Sequence, residues 1–270
     1  MSFVPAIPMG GLVGWTMLKR TAATQQAAFD RQPQVLRDEE YFRANITRIT
    51  SAEDLVKDRR LMRVALGAFG LDSDIDNRFF IRKVLEEGTL KPGALALKLA
   101  DKRYRELSAA IGLGDFGTSR IRMSDFADTI IRQWKQRQFE GAVGTVDDSL
   151  RLAMNAEREI AKIAKAEMTE DARWFTLMGQ RPLRQVLETA FGLPTSFGTL
   201  DIDRQKQVLS QRARAVFGDA GVAQFAEPDK MQALVKQYLL RNQISANTAA
   251  GAGNTALTLV SQTAQLMRRR

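Results

Sequence analysis

Apolar residues recur three and four positions apart along almost the whole chain, and nowhere do apolar and polar residues alternate over the length of a strand. Such spacing confines the chain to helices packed on helices. Thr50 to Glu53 reads as a capping box opening a helix whose Leu55, Met62, Leu66 and Phe69 share one face, with Gly70 as its stop. Asp76 is placed to cap a second helix that buries Phe79, Phe80, Val84 and Leu85 and ends at Gly88. After the Pro92-Gly93 break, Leu95, Leu99, Tyr104, Leu107 and Ile111 keep helical spacing up to Gly112. Ser124 or Asp125 starts another helix through Phe126, Ile130, Trp134 and Phe139. From Thr145 to Ala166 the stripe Leu152, Ala156, Ile160 and Ile163 runs between charged faces, the pattern of a long surface or bridging helix. The expectation is an all-α, multi-helical protein.

An internal repeat refines that expectation. Leu61 to Leu71 aligns with Leu183 to Leu193 at six of eleven positions, and both copies end a helix on Phe-Gly-Leu. The shared glycine can take the left-handed conformation that terminates a helix, and the Phe and Leu around it supply an apolar clasp. The tripeptide Asp74-Ile75-Asp76 returns as Asp201-Ile202-Asp203, and Ile130-Ile131-Arg132-Gln133-Trp134 matches Leu234-Val235-Lys236-Gln237-Tyr238 in character. Between these anchors the second copy is 18 residues shorter. The order points to two related helical subdomains from an internal duplication, joined by a long helix. The expected organisation is an N-terminal arm and helix over 1–48, a first helical repeat over 49–144, a connecting helix over 145–167, a second, shorter repeat over 168–243, and a flexible Ala/Gly/Ser/Thr-rich tail with an amphipathic helix over 244–270.

Several of these stretches are also familiar as a set. Tyr41-Phe42 with Asn45-Ile46, Ser51-Ala52-Glu53-Asp54-Leu55, Leu66 to Leu71, Phe80 to Glu86, and Leu99 to Tyr104 together resemble an uncharacterised alphaproteobacterial domain family of unknown function, over most of residues 1–243. Members of that family are often encoded beside flagellar genes. The resemblance implies an all-helical fold and a flagellar setting, and it brings no catalytic residues.

The chain contains no His and no Cys, which excludes Ser-His-Asp and Cys-His triads, zinc sites built on those ligands, and disulfides. What survives is carboxylate, Lys, Tyr, Ser/Thr or carboxylate-bound magnesium chemistry. Gly112 to Gly117 matches G-x-G-x-x-G, but a helix-forming run precedes it where a dinucleotide site needs a strand, so a helix stop and loop is expected. Asp72, Asp74 and Asp76 fit the first, third and fifth places of a calcium loop, yet Asn77 and Lys83 stand where Gly and Glu are required. A turn and an N-cap are expected there instead. The acids Asp147-Asp148 and Asp38-Glu39-Glu40 are read as first-turn charges and solvated faces. Trp15, Trp134, Trp174, Tyr41, Tyr104 and Tyr238 are read as core or core-edge residues. No catalytic, cofactor-binding or metal-ligating residue is assigned, and no cofactor is expected.

A formal charge of +9 would favour acidic partners only if it gathered on one face. Lys19-Arg20, Arg59-Arg60, Lys102-Arg103 and Arg268-Arg269-Arg270 are the adjacent basic groups, and solvated helix faces account for the interior ones. Met1 to Leu18 carries no ionised side chain, but its prolines and glycines, and a basic pair that follows the apolar part, are wrong for a Sec signal. Asn242 to Met267 is also uncharged, yet too rich in Ser, Thr, Asn and Gln to be a transmembrane segment. A soluble protein, cytoplasmic or flagellum-associated, is expected. Trp15, Leu18, Ala22 and Phe29 form a stripe near one end; Leu257, Val260, Ala264 and Met267 form another near the other end, beyond an Ala246 to Asn254 stretch expected to be flexible. These stripes cover either the chain's own core or a partner, and Trp15, Leu18, Phe29, Leu257, Val260 and Met267 are the candidate interaction residues. The favoured reading is a non-enzymatic helical structural or protein-interaction protein, with flagellar components as possible partners. A basic nucleic-acid-binding protein and a magnesium- or Lys-dependent enzyme are the alternatives.

Overall fold

A computed structural model describes residues 3–115 and 119–267, with only the backbone for Thr195, Asn247 and 249–267. Among the described residues there are α-helices and short 3-10 turns and no strand, so the fold is all-α. The chain divides into two compact units, one of residues 1–7 and 17–151, the other of 8–16 and 152–270. Two helices, α1 (Gly11–Asp30) and α9 (Asp148–Lys165), contribute residues to both.

In the first unit α2 (Pro33–Asn45) opens on a proline, whose missing N–H costs nothing in a first turn. The short α3 (Ala52–Lys57) follows, and α4 (Arg59–Ala68) begins after Asp58, which accepts from the amides of Arg60 and Leu61 at 2.9 and 3.0 Å. Then come α5 (Arg78–Glu87), α6 (Leu95–Lys98), α7 (Arg103–Ile111) and α8 (Phe126–Val146). Helix α4 is the centre of the unit. It lies between α8 and α2 and buries Leu61, Met62, Val64, Ala65 and Leu66. The buried side of α8 is Phe126, Ile130, Ile131, Trp134, Phe139 and Val143.

The second unit has fewer helices. It contains α10 (Glu170–Met178), α11 (Arg181–Phe191), α12 (Ile202–Phe217) and α13 (Pro228–Met267). Here α11 packs along α13, burying Leu183, Val186, Leu187 and Ala190, as α4 packs along α8. Both central helices end alike. Leu71 donates its amide to Leu66 and Leu193 to Glu188, five residues back, while Gly70 and Gly192 sit at φ +69° and +62°. Over each glycine lies an arginine from the paired helix. Arg137 Nε donates to Ala68 O at 2.9 Å, and Arg241 Nη1 stands 2.5 Å from where a Cβ on Gly192 would be.

Several expectations from sequence need correction. The capping box is shifted by one residue: Ser51 and Asp54 satisfy each other's amides, leaving Thr50 outside the helix. Asp58 interrupts the helix expected from there to Gly70, because its carboxylate captures the amides that follow it. Asp76 is not a cap. It pairs with Arg59 at 2.5 Å, and Asn77 precedes α5 without a side-chain cap. Phe79 is 71% exposed; it stands two residues before Ile81 and so about 200° around the helix from it. Its ring lies instead under Arg82, whose guanidinium is 5.4 Å from the ring centroid. Leu99 to Lys102 break the helix expected before Gly112, with Asp101 accepting from the Arg103 amide at 3.0 Å. The Ala246 to Asn254 backbone lies within α13.

The two glycine environments give opposite expectations for alanine. Gly192→Ala places a Cβ in the left-handed region and against Arg241, and should lower unfolding stability by about 1–2 kcal/mol. Gly141→Ala, in the middle of α8 with open space around it, should raise stability by about 0.5–1 kcal/mol. Urea unfolding followed by circular dichroism measures both.

Candidate interaction surface

Carboxylates that might have formed a catalytic or cation site are turned toward different donors. Asp72 accepts from Gln138 Nε2 at 2.9 Å, Asp74 from the Tyr104 hydroxyl at 2.7 Å and from Asn77 Nδ2 at 2.8 Å, and Asp76 pairs with Arg59. Burial, followed by the bond to Asp74, pushes the Tyr104 phenol well above its ordinary range. Asp147 caps α9, accepting from Ser149 N and Oγ at 2.8 and 2.6 Å, while Asp148 pairs with Arg151 at 2.7 Å. Asp38 is buried among Gln34, Arg60 and Arg63, whereas Glu39 reaches Lys135 and Arg43. Adjacent acids thus serve opposite sides of α2. Among the described residues no three acids converge as a metal would need.

The glycine-rich segment is a backbone crossing. Gly112 ends α7 at φ +70°, and a Cβ on Gly114 would stand 2.5 Å from both Glu86 O and Gly88 N. Asp115 then ties the crossing down, accepting from the Thr89 amide, from its hydroxyl at 2.7 Å and from the Leu90 amide at 2.9 Å. The residues that complete the motif, 116–118, lie outside the described residues.

The basic pairs are largely engaged within the fold. Arg59 pairs with Asp76, and Arg60 donates to Arg37 O at 2.9 Å and stacks 3.8 Å from the Tyr41 ring centroid. Lys102 donates to Leu99 O at 3.0 Å, and Arg103 holds Asp101 and Gly70 O. Arg268 to Arg270 lie outside the described residues. In the second unit an open groove of about 480 Å³ is lined by Met178, Arg181, Arg184, Gln185 and Glu188. Its Glu188 carboxylate is paired with Arg184 Nε at 2.7 Å.

Of the candidate interaction residues, Trp15, Leu18 and Phe29 are 8%, 1% and 8% exposed. They belong to the chain's own interior, Phe29 packing edge-on to Phe3 and Phe139 at 5.6 and 6.0 Å between centroids. An amphipathic stripe shows which residues seek cover and not what supplies it. Leu257, Val260 and Met267 lie on the backbone of α13, and their side chains are outside the described residues. Exposed apolar side chains in the second unit include Met9 and Val13, at 57% and 58%, and Leu240 and Ile244, at 38% and 62%, besides Met168, Leu200, Ile202 and Val216. Leu240 and Ile244 are one turn apart on α13, whereas Met9 precedes α1 and Val13 lies in its first turn. The two pairs flank one contact, where the start of α1 meets α13 with a Cβ on Gly11 only 3.0 Å from Gln243 Oε1. Met9, Val13 and Ile244 fall in the two stretches without charge, and Leu240 stands just outside one of them, beside Arg241.

The residues 68–231, well over half of the chain, match one protein family. The chain belongs to the DUF1217 family of proteins of unknown function. Both pairs lie outside the matched residues. The fold is similar to that in the X-ray crystal structure of protein AGR_C_984 from Agrobacterium tumefaciens, with a TM-score of 0.72 and 24% identity over 86% of this chain and 93% of that one. At that identity the likeness concerns the fold alone. No curated protein matches the sequence.

Burial raises the Asp115 pKa, but the bonds from Thr89 and Leu90 outweigh it and hold the carboxyl below its usual range. A native value below the unfolded one, about 3.9, stabilises the fold above that pH and is lost as pH falls through the native value. Asp115→Asn should therefore lower stability at pH 7 by about 1–3 kcal/mol and flatten the loss of stability below about pH 4. Thermal unfolding from pH 2 to 7 is the measurement.

Proposed function

We propose that this member of the DUF1217 family is a non-enzymatic helical structural or protein-interaction protein that serves flagellar assembly or motility. The observation that carries the contact reading is the exposed apolar side chains of Met9, Val13, Leu240 and Ile244 around the Gly11 to Gln243 contact, on a chain of net charge +9. Exposed apolar side chains grouped on one surface mark a place where another surface docks. The engagement of acids in caps and ion pairs, and of basic residues with carbonyls and rings, supports contact over chemistry. Among the described residues no helix is long and apolar enough to cross a membrane.

The flagellar setting rests on the resemblance carried by Ser51 to Leu55, Leu66 to Leu71 and Phe80 to Glu86. A common origin for the two units is part of the same proposal, supported by the recurring α4–α8 and α11–α13 pairings and by their matching glycine ends. Duplication would build a stiff scaffold whose extremities are free to make contacts.

Removing residues 245–270, or replacing Val13→Glu, should reduce swimming in soft agar and the amount of protein recovered with isolated basal bodies. Normal swimming after deletion of the whole gene would contradict the flagellar role. Full recovery with basal bodies after both changes would contradict this surface as the contact.

A further inference from the structure

Helix α12 differs from its neighbours in what its cations meet. Elsewhere in the fold an acid three or four positions away takes up the charge, as Glu39 does for Arg43 on α2, Glu53 for Lys57 on α3, Asp148 for Arg151 on α9 and Glu188 for Arg184 on α11. Helix α12 carries Arg204, Lys206, Arg212 and Arg214 against a single acid, Asp203, in its first turn. Lys206 reaches Asp171 on α10 at 2.9 Å, and Arg204 donates to the neutral Gln207 Oε1 at 3.1 Å. Arg212 and Arg214 are exposed, with no acid within a turn on their own helix.

The periodicity of α12 sets this charge in a definite pattern. Its buried stripe is Gln205, Leu209, Ala213 and Phe217, every fourth residue. One position earlier, about 100° round the helix, runs the stripe Arg204, Val208, Arg212 and Val216. Arg204 and Arg212 are exposed, Val208 is half-buried and Val216 is 46% exposed. Cation and apolar side chain therefore alternate turn by turn over about 18 Å.

That alternation selects a partner by its chemistry. A phosphate backbone would take the arginines and offer the valines nothing. A helix that lies in a bilayer separates its apolar and cationic faces, and here the two share one face. A wholly apolar surface would cover the valines and strip water from unpaired guanidiniums, at a cost. A helix on which carboxylates and apolar side chains alternate at the same four-residue interval satisfies both. Each guanidinium can then give a carboxylate two parallel N–H bonds. We propose that the Arg-Val face of α12 docks an acidic amphipathic helix of another protein. This face lies within the family-matched residues, on a different element from Met9, Val13, Leu240 and Ile244. It does not depend on the flagellar reading.

Fluorescence anisotropy on the full chain tests it, with a labelled alanine-based helical peptide in which Glu and Leu alternate at every fourth position. Saturable binding is expected, weakening as salt rises. Peptides with Gln for every Glu, or Ala for every Leu, should bind at least about tenfold more weakly. Arg212→Glu should leave the unfolding midpoint unchanged and weaken the Glu-Leu peptide at least about tenfold, since carboxylate then faces carboxylate. A peptide with Lys for Glu should bind that variant better than it binds the natural chain, an exchange that damage to the fold cannot produce. Val216→Ser should also weaken the Glu-Leu peptide. No binding of that peptide would overturn the proposal, as would equal binding of the peptide without leucines or unchanged binding by Arg212→Glu. A DNA duplex or a phosphatidylserine vesicle held more tightly than the peptide, and released by Arg212→Glu, would overturn it in favour of that class.

Discussion

One helix lying along another, α4 on α8 and α11 on α13, is the interaction from which the rest of the structure is built. Leu61, Val64 and Leu66 in one unit and Leu183, Val186 and Leu187 in the other are almost wholly removed from water. Each such side chain contributes about 1.5–3 kcal/mol of burial free energy, so each pairing supplies several kcal/mol of its unit's stabilisation. Their ends are secured too. The chain reverses at Gly70 or Gly192, and an arginine three positions past the aromatic Trp134 or Tyr238 lies over the turn. Carbonyls at a helix C-terminus carry partial negative charge, and a guanidinium there is favourable.

The same pairing explains why contact would fall at the end of α13. In the first unit α8 ends at Val146, where Asp147 starts the next helix. In the second unit α13 continues past Leu239 into Asn242 to Met267, a stretch without charge between Arg241 and Arg268. Among the described residues apolar side chains are left in water there, at Leu240 and Ile244 on α13, at Met9 just before α1 and at Val13 in its first turn.

Sequence periodicity carried the fold class because buried residues on a helix must return every three or four positions, and Leu66, Leu85, Ile111, Trp134 and Ile160 all lie inside. Boundaries were less legible. Whether Asp58 continues a helix or starts a new one depends on which amides its carboxylate reaches, and spacing is silent on that. Phe79 looked buried because it is apolar, yet α5 has room for one covered face and Ile81, Val84 and Leu85 occupy it. The interaction residues were harder still. Trp15 and Leu18 have the pattern of a docking stripe, and what they dock on is their own chain; Val13, one turn from Met17, is left facing water. Pattern shows that a face is apolar, and only the packing shows whether it is already covered.

Hydrogen exchange along the two central helices tests the helix-on-helix account most directly. The account predicts that the amides of Val64 and Leu66 in α4 and of Val186 and Leu187 in α11 are among the slowest to exchange and open only with unfolding of their unit. Exchange at these amides as fast as at the exposed Leu240 and Ile244 would contradict it.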